Sequence, residues 1–249
     1  MNPPGGRYPI VVALHGRGEA AKGPERGLLG FSVDYRLPTA FGALARGELR
    51  RADYGGLVRD SHLEAANAEL ARTPFRPTAI VTPYVPLGLL EQGADEARAR
   101  YTAWLAGPLL DHVRSAYPGL ARGRESTGID GVSMGGRIAL EAGFTHPEVF
   151  GAVGGIQAAV RGDAETLSAR VDPARAQRIR LLTSDEDPYL GATRALSAAL
   201  RARRIAHELV VTPGRHDYEY NRGPGSIELL RFHSSALAQE ALPLGEQLD

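Results

Sequence analysis

Short apolar runs that alternate with helix-forming stretches along the whole chain predict an α/β fold: one doubly wound, mostly parallel sheet flanked by helices. Two observations carry this reading. Runs such as Ile10-Val11-Val12-Ala13-Leu14 are continuous and β-branched, as in strands buried on both faces of a parallel sheet. They are also short, and glycine or proline punctuates the breaks between them and the helical stretches. With no internal repeat, low-complexity tract or linker, residues 1–249 read as a single domain with its core at about 8–238.

In order, the first strand covers Tyr8 to Leu14 and breaks into His15-Gly16-Arg17-Gly18, followed by a polar, glycine-rich loop to Gly30. Leu37 to Leu49 and Ser61 to Arg72 read as helices, the second capped by Asp60 or Ser61. Pro77 to Pro83 is a short strand whose prolines suit a sheet edge. Asp95 to Tyr117 is helical and split at Gly107-Pro108; its tryptophan, Trp104, is expected to pack helix against sheet. The apolar run around Ile129 is a strand, and the helix after it ends near His146-Pro147. Strands follow at Val149 to Ile156, Gln177 to Ser184 and Ala206 to Val211, with helices at Leu190 to Arg203 and Ser226 to Ala238.

The composition limits the function classes. Hydrophobic residues make up 43% and charged residues 23%, ordinary values for a soluble globular protein. Lys+Arg and Asp+Glu both number 29, so no global charge draws the chain to nucleic acid or an anionic membrane. The absence of cysteine excludes disulfides, thiolate metal sites and a cysteine nucleophile. No histidine pair shows the i, i+4 spacing of a zinc helix, and no apolar segment is long enough for a membrane span. The first seven residues hold no signal-peptide core, which leaves both a cytoplasmic location and secretion after processing open, as is oligomeric state.

In a doubly wound sheet, ligands bind beyond the carboxyl ends of the strands, so the residues just after each apolar run matter most. Gly131-Val132-Ser133-Met134-Gly135 lies where a strand meets a helix, the setting of a nucleophile elbow. The serine must occupy a strained turn, and side chains two positions either side would collide with neighbouring backbone. After a later strand come Ser184-Asp185-Glu186-Asp187, and after the last one Gly214-Arg215-His216-Asp217. The order is serine, acid and histidine, the chain order of the α/β-hydrolase triad. Asp187, just before the next helix, is the expected acid, with Asp185 as its rival and Glu186 a solvated charge.

These pieces, with His15-Gly16-Arg17-Gly18 and Gly131-Val132-Ser133-Met134-Gly135-Gly136, resemble the esterase branch of the α/β-hydrolase superfamily. Its members include esterase D-like, feruloyl-esterase-like and mycolyltransferase-like proteins. The resemblance runs from Tyr8 to about residue 238 and implies cofactor-independent hydrolysis of small-molecule carboxylic esters through an acyl-enzyme. Ser133 would attack, His216 would move the proton, and Asp187 would orient the imidazole. The backbone N–H groups of Met134 and Arg17 would form the oxyanion hole. His15 is expected to brace the oxyanion turn or border the pocket, and Gln157 to line it. The family usually opens with two further strands, so the sheet here is expected to lack one or both. No segment between Ile156 and Asp187 is long enough for a large lid; residues 19–36 and 54–59 are the expected pocket walls. Acyl transfer to an alcohol or sugar on the same triad is the chemical alternative. A non-catalytic binding module has no need of all three triad residues.

Overall fold

In the computed structural model, which describes residues 6–238 and 240–241, the apolar run Ile10–Leu14 (β2) is fully buried. Side chains alternate across a strand, and β2 divides accordingly. Ile10, Val12 and Leu14 enter one core, and Ala13 enters the core on the opposite face. Each such aliphatic side chain contributes about 1.5–3 kcal/mol on full burial, so β2 holds both layers of the fold together.

The other strands are β1 (Gly6–Arg7), β3 (Ala79–Val81), β4 (Thr127–Gly131), β5 (Ala152–Ile156), β6 (Arg178–Ser184), β7 (Glu208–Thr212) and β8 (Glu240–Ala241). Six form a parallel sheet in the order β3-β2-β4-β5-β6-β7, and β1 pairs antiparallel with β8. Four short or early helices are α1 (Arg17–Ala20), α2 (Pro24–Gly27), α3 (Leu37–Ala45) and α4 (Asp60–Arg72). Then come α5 (Asp95–Ala106), α6 (Pro108–Ala116), α7 (Met134–Thr145), α8 (Ala164–Ala169), α9 (Leu190–Ala202), α10 (Tyr218–Tyr220) and α11 (Ser226–Ala236). Residues from α5 to α9 fill the core on one face, and residues from α3, α4 and α11 the core on the other. The strand at 79–81 is an edge, as its flanking prolines predict, and among the described residues nothing pairs with its outer side. Among the described residues the sheet therefore lacks the two opening strands usual in the resembled family. The terminal residues 1–5, 239 and 242–249 of the expected domain lie outside the described residues. Among those described, no helix is long and apolar enough to cross a membrane.

Three local expectations need correction. The stretch expected as a loop from Glu19 to Gly30 is helical in pieces: α1, α2 with Pro24 at its first turn, and a π-helical turn over Gly30–Asp34. Turns of four or five residues are too short to show a helical apolar period. Neither Asp60 nor Ser61 caps α4. Arg59 occupies the cap position and makes no side-chain cap bond; Asp60 is the first residue inside the helix, its carboxylate paired with Arg51. Trp104 does not seat the helix on the sheet. It is 39% exposed and leans on Tyr101, which packs against the core and donates its hydroxyl to the Tyr84 carbonyl at 2.8 Å.

One polar cluster lies inside this fold, beneath the end of β4. Asp130 is fully buried; its Oδ2 pairs with the Arg180 guanidinium at 2.8 Å and accepts from His233 Nε2 at 3.1 Å. Its Oδ1 accepts from the Gly131 N–H at 2.8 Å. Arg180 also donates to the Glu228 carbonyl and lies over the Phe232 ring. Glycine is required opposite: a Cβ on Gly154 would stand 2.0 Å from Asp130 Oδ2. Removing one partner of a buried pair typically costs about 3–5 kcal/mol, since the other charge is left uncompensated.

Burial pushes the imidazoles of both His233 and His15 below their ordinary range. The folded chain therefore refuses protons that the unfolded chain accepts below pH about 6.5. The stability from these two neutral rings is complete above that pH and is lost as the solution becomes more acid. The urea midpoint should accordingly drop between about pH 7.5 and about pH 5.5. Equal midpoints would show that the two rings are not held neutral by the fold.

Candidate active site

The strand β4 delivers the chain into the elbow. Ser133 has φ 55 and ψ −113, a conformation that costs a non-glycine residue about 1–3 kcal/mol. The turn is pinned on both sides: Val132 donates to the Leu14 carbonyl and Ser133 to that of Ile156, both at 2.9 Å. The flanking glycines are needed because backbone occupies the space of their side chains. A Cβ on Gly131 would meet the Gly135 carbonyl carbon at 2.5 Å, and one on Gly135 would meet the Leu14 oxygen at 2.2 Å.

The loops after β6 and β7 bring the other two residues to the serine. His216 Nε2 lies 3.0 Å from Ser133 Oγ, and His216 Nδ1 lies 2.9 Å from Asp187 Oδ1. The Asp187 carboxylate is fully buried and also accepts from Thr183 Oγ1 at 2.6 Å and from the Tyr189 N–H at 3.0 Å. A carboxylate only accepts, so Nδ1 carries the imidazole proton and Nε2 is free to accept from the serine hydroxyl. Its two acidic neighbours face elsewhere. Asp185 is exposed, pairs with Arg59 at 2.9 Å and accepts from the Gly214 N–H; Glu186 pairs with Arg215 at 3.0 Å.

Met134 and Arg17 are the first residues of α7 and α1, where helix N–H groups have no intrahelical acceptor. Both border the same cavity as Ser133, and neither N–H has a backbone acceptor among the described residues. The preceding donor, Gly16 N–H, is occupied by the Tyr35 hydroxyl at 3.0 Å.

Two candidates for the pocket wall belong beneath it. His15 is only 1% exposed; Nε2 accepts from the Val85 N–H at 3.0 Å, so Nδ1 donates to the Gly16 carbonyl at 3.0 Å. Thus it holds the turn that precedes Arg17. Gln157 is fully buried at φ 46, and its amide donates to Ser184 Oγ and to the Arg215 carbonyl, at 2.7 and 2.9 Å. It steadies the peptide just before His216. Each is drawn inward by a buried backbone group that needs a partner.

Two cavities meet at Ser133. The larger, about 630 Å³, is bordered by Arg17, Met134, Arg137, Arg161 and Tyr189, and closed by the 87–93 turn. The smaller, about 380 Å³, is bordered by Gly16, Glu19, Tyr35, His216 and Tyr218. Residues from the 19–36 segment thus wall one cavity, as expected. The 54–59 segment does not border either cavity, since Arg59 reaches across to Asp185 and the Val211 carbonyl.

Sequence reasoning missed the group that ties the helix after the Gly16–Arg17 turn to the loop that carries His216. Glu19 is 2% exposed, accepts from Tyr218 Oη at 2.6 Å, and accepts a hydrogen bond from the Tyr35 hydroxyl on its other oxygen. Burial, together with the Glu19 carboxylate, raises the pKa of both phenols, which keeps them protonated as donors. Glutamine at position 19 would present an N–H to one of these hydroxyls in place of an acceptor. Glu19→Gln should therefore lower kcat about tenfold by misplacing both loops. A variant with lower Tm but wild-type kcat would reduce Glu19 to a structural role.

The sheet order and the elbow define an α/β-hydrolase. The family model described as "Putative esterase" matches residues 90–224, more than half the chain, and the chain belongs to that family. Among solved structures, a ferulic acid esterase superposes with a TM-score of 0.62 at 16% identity, covering 94% of this chain and 88% of that one. The S-formylglutathione hydrolase of Staphylococcus aureus gives 0.54 at 13% identity, covering 92% and 82%. A ferulic acid esterase from Anaeromyces mucronatus, in complex with ferulic acid, gives 0.56 at 18%, covering 92% and 79%. At such identities the likeness is one of fold. No curated protein sequence matches the chain.

Proposed function

We propose that this enzyme hydrolyses carboxylic esters through an acyl-enzyme formed on Ser133. The observation that carries the reading is the unbroken line of contacts Ser133 Oγ, His216 Nε2, His216 Nδ1, Asp187 Oδ1, at 3.0 and 2.9 Å. His216 takes the hydroxyl proton as Oγ attacks the ester carbonyl, then gives it to the departing alcohol. Asp187 keeps the proton on Nδ1 in the resting enzyme and stabilises the imidazolium that forms in between. The N–H groups of Met134 and Arg17 receive the oxyanion; one such donor typically contributes about 3–4 kcal/mol to the transition state. Water then repeats the sequence on the acyl-Ser133 ester and frees the acid.

The test is a rapid-mixing experiment with p-nitrophenyl acetate. It should give a burst of nitrophenol matching the enzyme concentration, with an acetyl group on the peptide that contains Ser133. Label on another peptide would move the nucleophile elsewhere. With excess alcohol or glycan present, an acylated acceptor in place of free acid would assign the enzyme to acyl transfer.

A further inference from the structure

The larger cavity beside Ser133 contains two cationic groups that no carboxylate pairs with among the described residues. Of its four arginines, Arg137 is bound to Glu141 at 2.6 Å and Asp163 at 2.7 Å, and Arg98 to Glu141 at 2.8 Å and to Asp95. Their charges are spent within the wall. Arg17 and Arg161 have no carboxylate within ion-pair distance among the described residues, and both are exposed to the cavity. Arg161 is also held in place: its guanidinium lies 5.0 Å from the centre of the Tyr189 ring, which itself meets the His216 ring edge-on at 5.3 Å. A guanidinium on an aromatic face stays fixed and charged, ready to pair with a carboxylate through two parallel hydrogen bonds. The wall's one acid without an ion pair, Glu91, turns back toward Gly88, with Oε2 3.8 Å from where a Cβ would stand there.

The two cavities also differ in which half of an ester they can take. His216, which must protonate the leaving oxygen, borders the smaller cavity and not the larger. Met134 borders the larger and not the smaller, whereas Ser133 and Arg17 border both. The alcohol therefore departs on the side of Tyr35 and Tyr218, and the acyl chain extends toward Arg161, with Arg17 at the junction of the two cavities. We propose that the preferred substrates are esters whose acyl group ends in a carboxylate, the half-esters of dicarboxylic acids, with Arg161 and the Arg17 side chain holding the free carboxylate. This rests on Ser133 being the nucleophile.

The test compares p-nitrophenyl hexanoate with the mono-p-nitrophenyl ester of adipic acid, which has the same chain length plus a terminal charge. For the wild type, kcat/KM should favour the adipate ester by about tenfold or more at low salt, and the preference should shrink in about 0.5 M NaCl. Arg161→Gln should erase most of that preference, read as the ratio of the two kcat/KM values measured on the same preparation, so that any general effect through Tyr189 cancels. A wild type that hydrolyses both equally, or an Arg161→Gln variant that keeps the preference, overturns the proposal with the esterase reading intact. A preference for p-acetoxybenzoate over p-acetoxybenzamide, without one for adipate, would put the anion on the alcohol and overturn the acyl assignment. Failure to hydrolyse any of these esters would overturn the nucleophile assignment and this subsite with it.

Discussion

Replacing Ser133 with alanine should lower kcat for p-nitrophenyl acetate by roughly a millionfold, the scale set by removing the nucleophile from a comparable triad. Without the hydroxyl no acyl-enzyme can form, and what remains is binding and any oxyanion stabilisation of direct attack by water. The same variant should unfold at nearly the wild-type temperature. Alanine at φ 55 and ψ −113 carries the same backbone strain as serine, so that cost does not change. The only bond lost is the one to His216, which is partly exposed and can turn to water. A net contribution of about 1 kcal/mol is typical for such a bond. Steady-state rates and a thermal melt on the same preparation separate the two effects. Activity retained in Ser133→Ala would remove the proposed mechanism altogether. A collapsed melting temperature would instead mean that the elbow relies on the hydroxyl for its shape.

What was legible in the chain follows from how a parallel sheet arranges chemistry. Most strands of the parallel sheet carry a short apolar run, although β4 (Thr127-Gly128-Ile129-Asp130-Gly131) has only Ile129, and the functional residues sit in the few positions after the strands. That is why Ser133, the acidic trio and His216 could be picked out beside their strands, and why the edge position of β3 followed from its prolines. Choosing among Asp185, Glu186 and Asp187 was a matter of position relative to the next helix, and the loop geometry sends the three carboxylates to three different partners. Contacts between distant segments left no trace in any local pattern. Glu19 meets Tyr35 sixteen residues on and Tyr218 almost two hundred residues on, and neither spacing is periodic. Gln157 shows the converse error, while His15 braces the turn as expected but borders neither cavity. A polar residue just past a strand end reads as pocket lining, yet the buried Ser184 hydroxyl and Arg215 carbonyl claimed the Gln157 side chain first. The cavity wall at 87–93 and Arg161 escaped notice because short turns and lone arginines look the same whether they face solvent or substrate.

The choice of acid gives the sharpest contrast between neighbouring residues. Asp187→Asn should reduce kcat/KM about ten-thousandfold, whereas Asp185→Asn should stay within about threefold of wild type. The buried Asp187 carboxylate has committed acceptors on both oxygens, to Thr183 and Tyr189, and Oδ1 also receives the imidazole N–H. An asparagine there keeps its oxygen on one of these donors and points its own N–H₂ at another. If the amide faces His216, Nδ1 must become the acceptor, the ring proton moves to Nε2, and the imidazole donates to Ser133 in place of accepting from it. The general base is then lost through its tautomer, although every atom stays near its native position. Asp185 is 41% exposed and its pair with Arg59 is solvated, so losing that charge costs little; the asparagine oxygen can still receive the Gly214 N–H. Raising pH would not rescue Asp187→Asn, because the defect lies in which nitrogen carries the proton and not in how many protons the ring holds. If Asp185→Asn were the damaging change, the loop would have to rearrange on substrate binding so that Asp185 leaves Arg59 and reaches the imidazole. That rearrangement would also break the bond that anchors Gly214, two residues before His216.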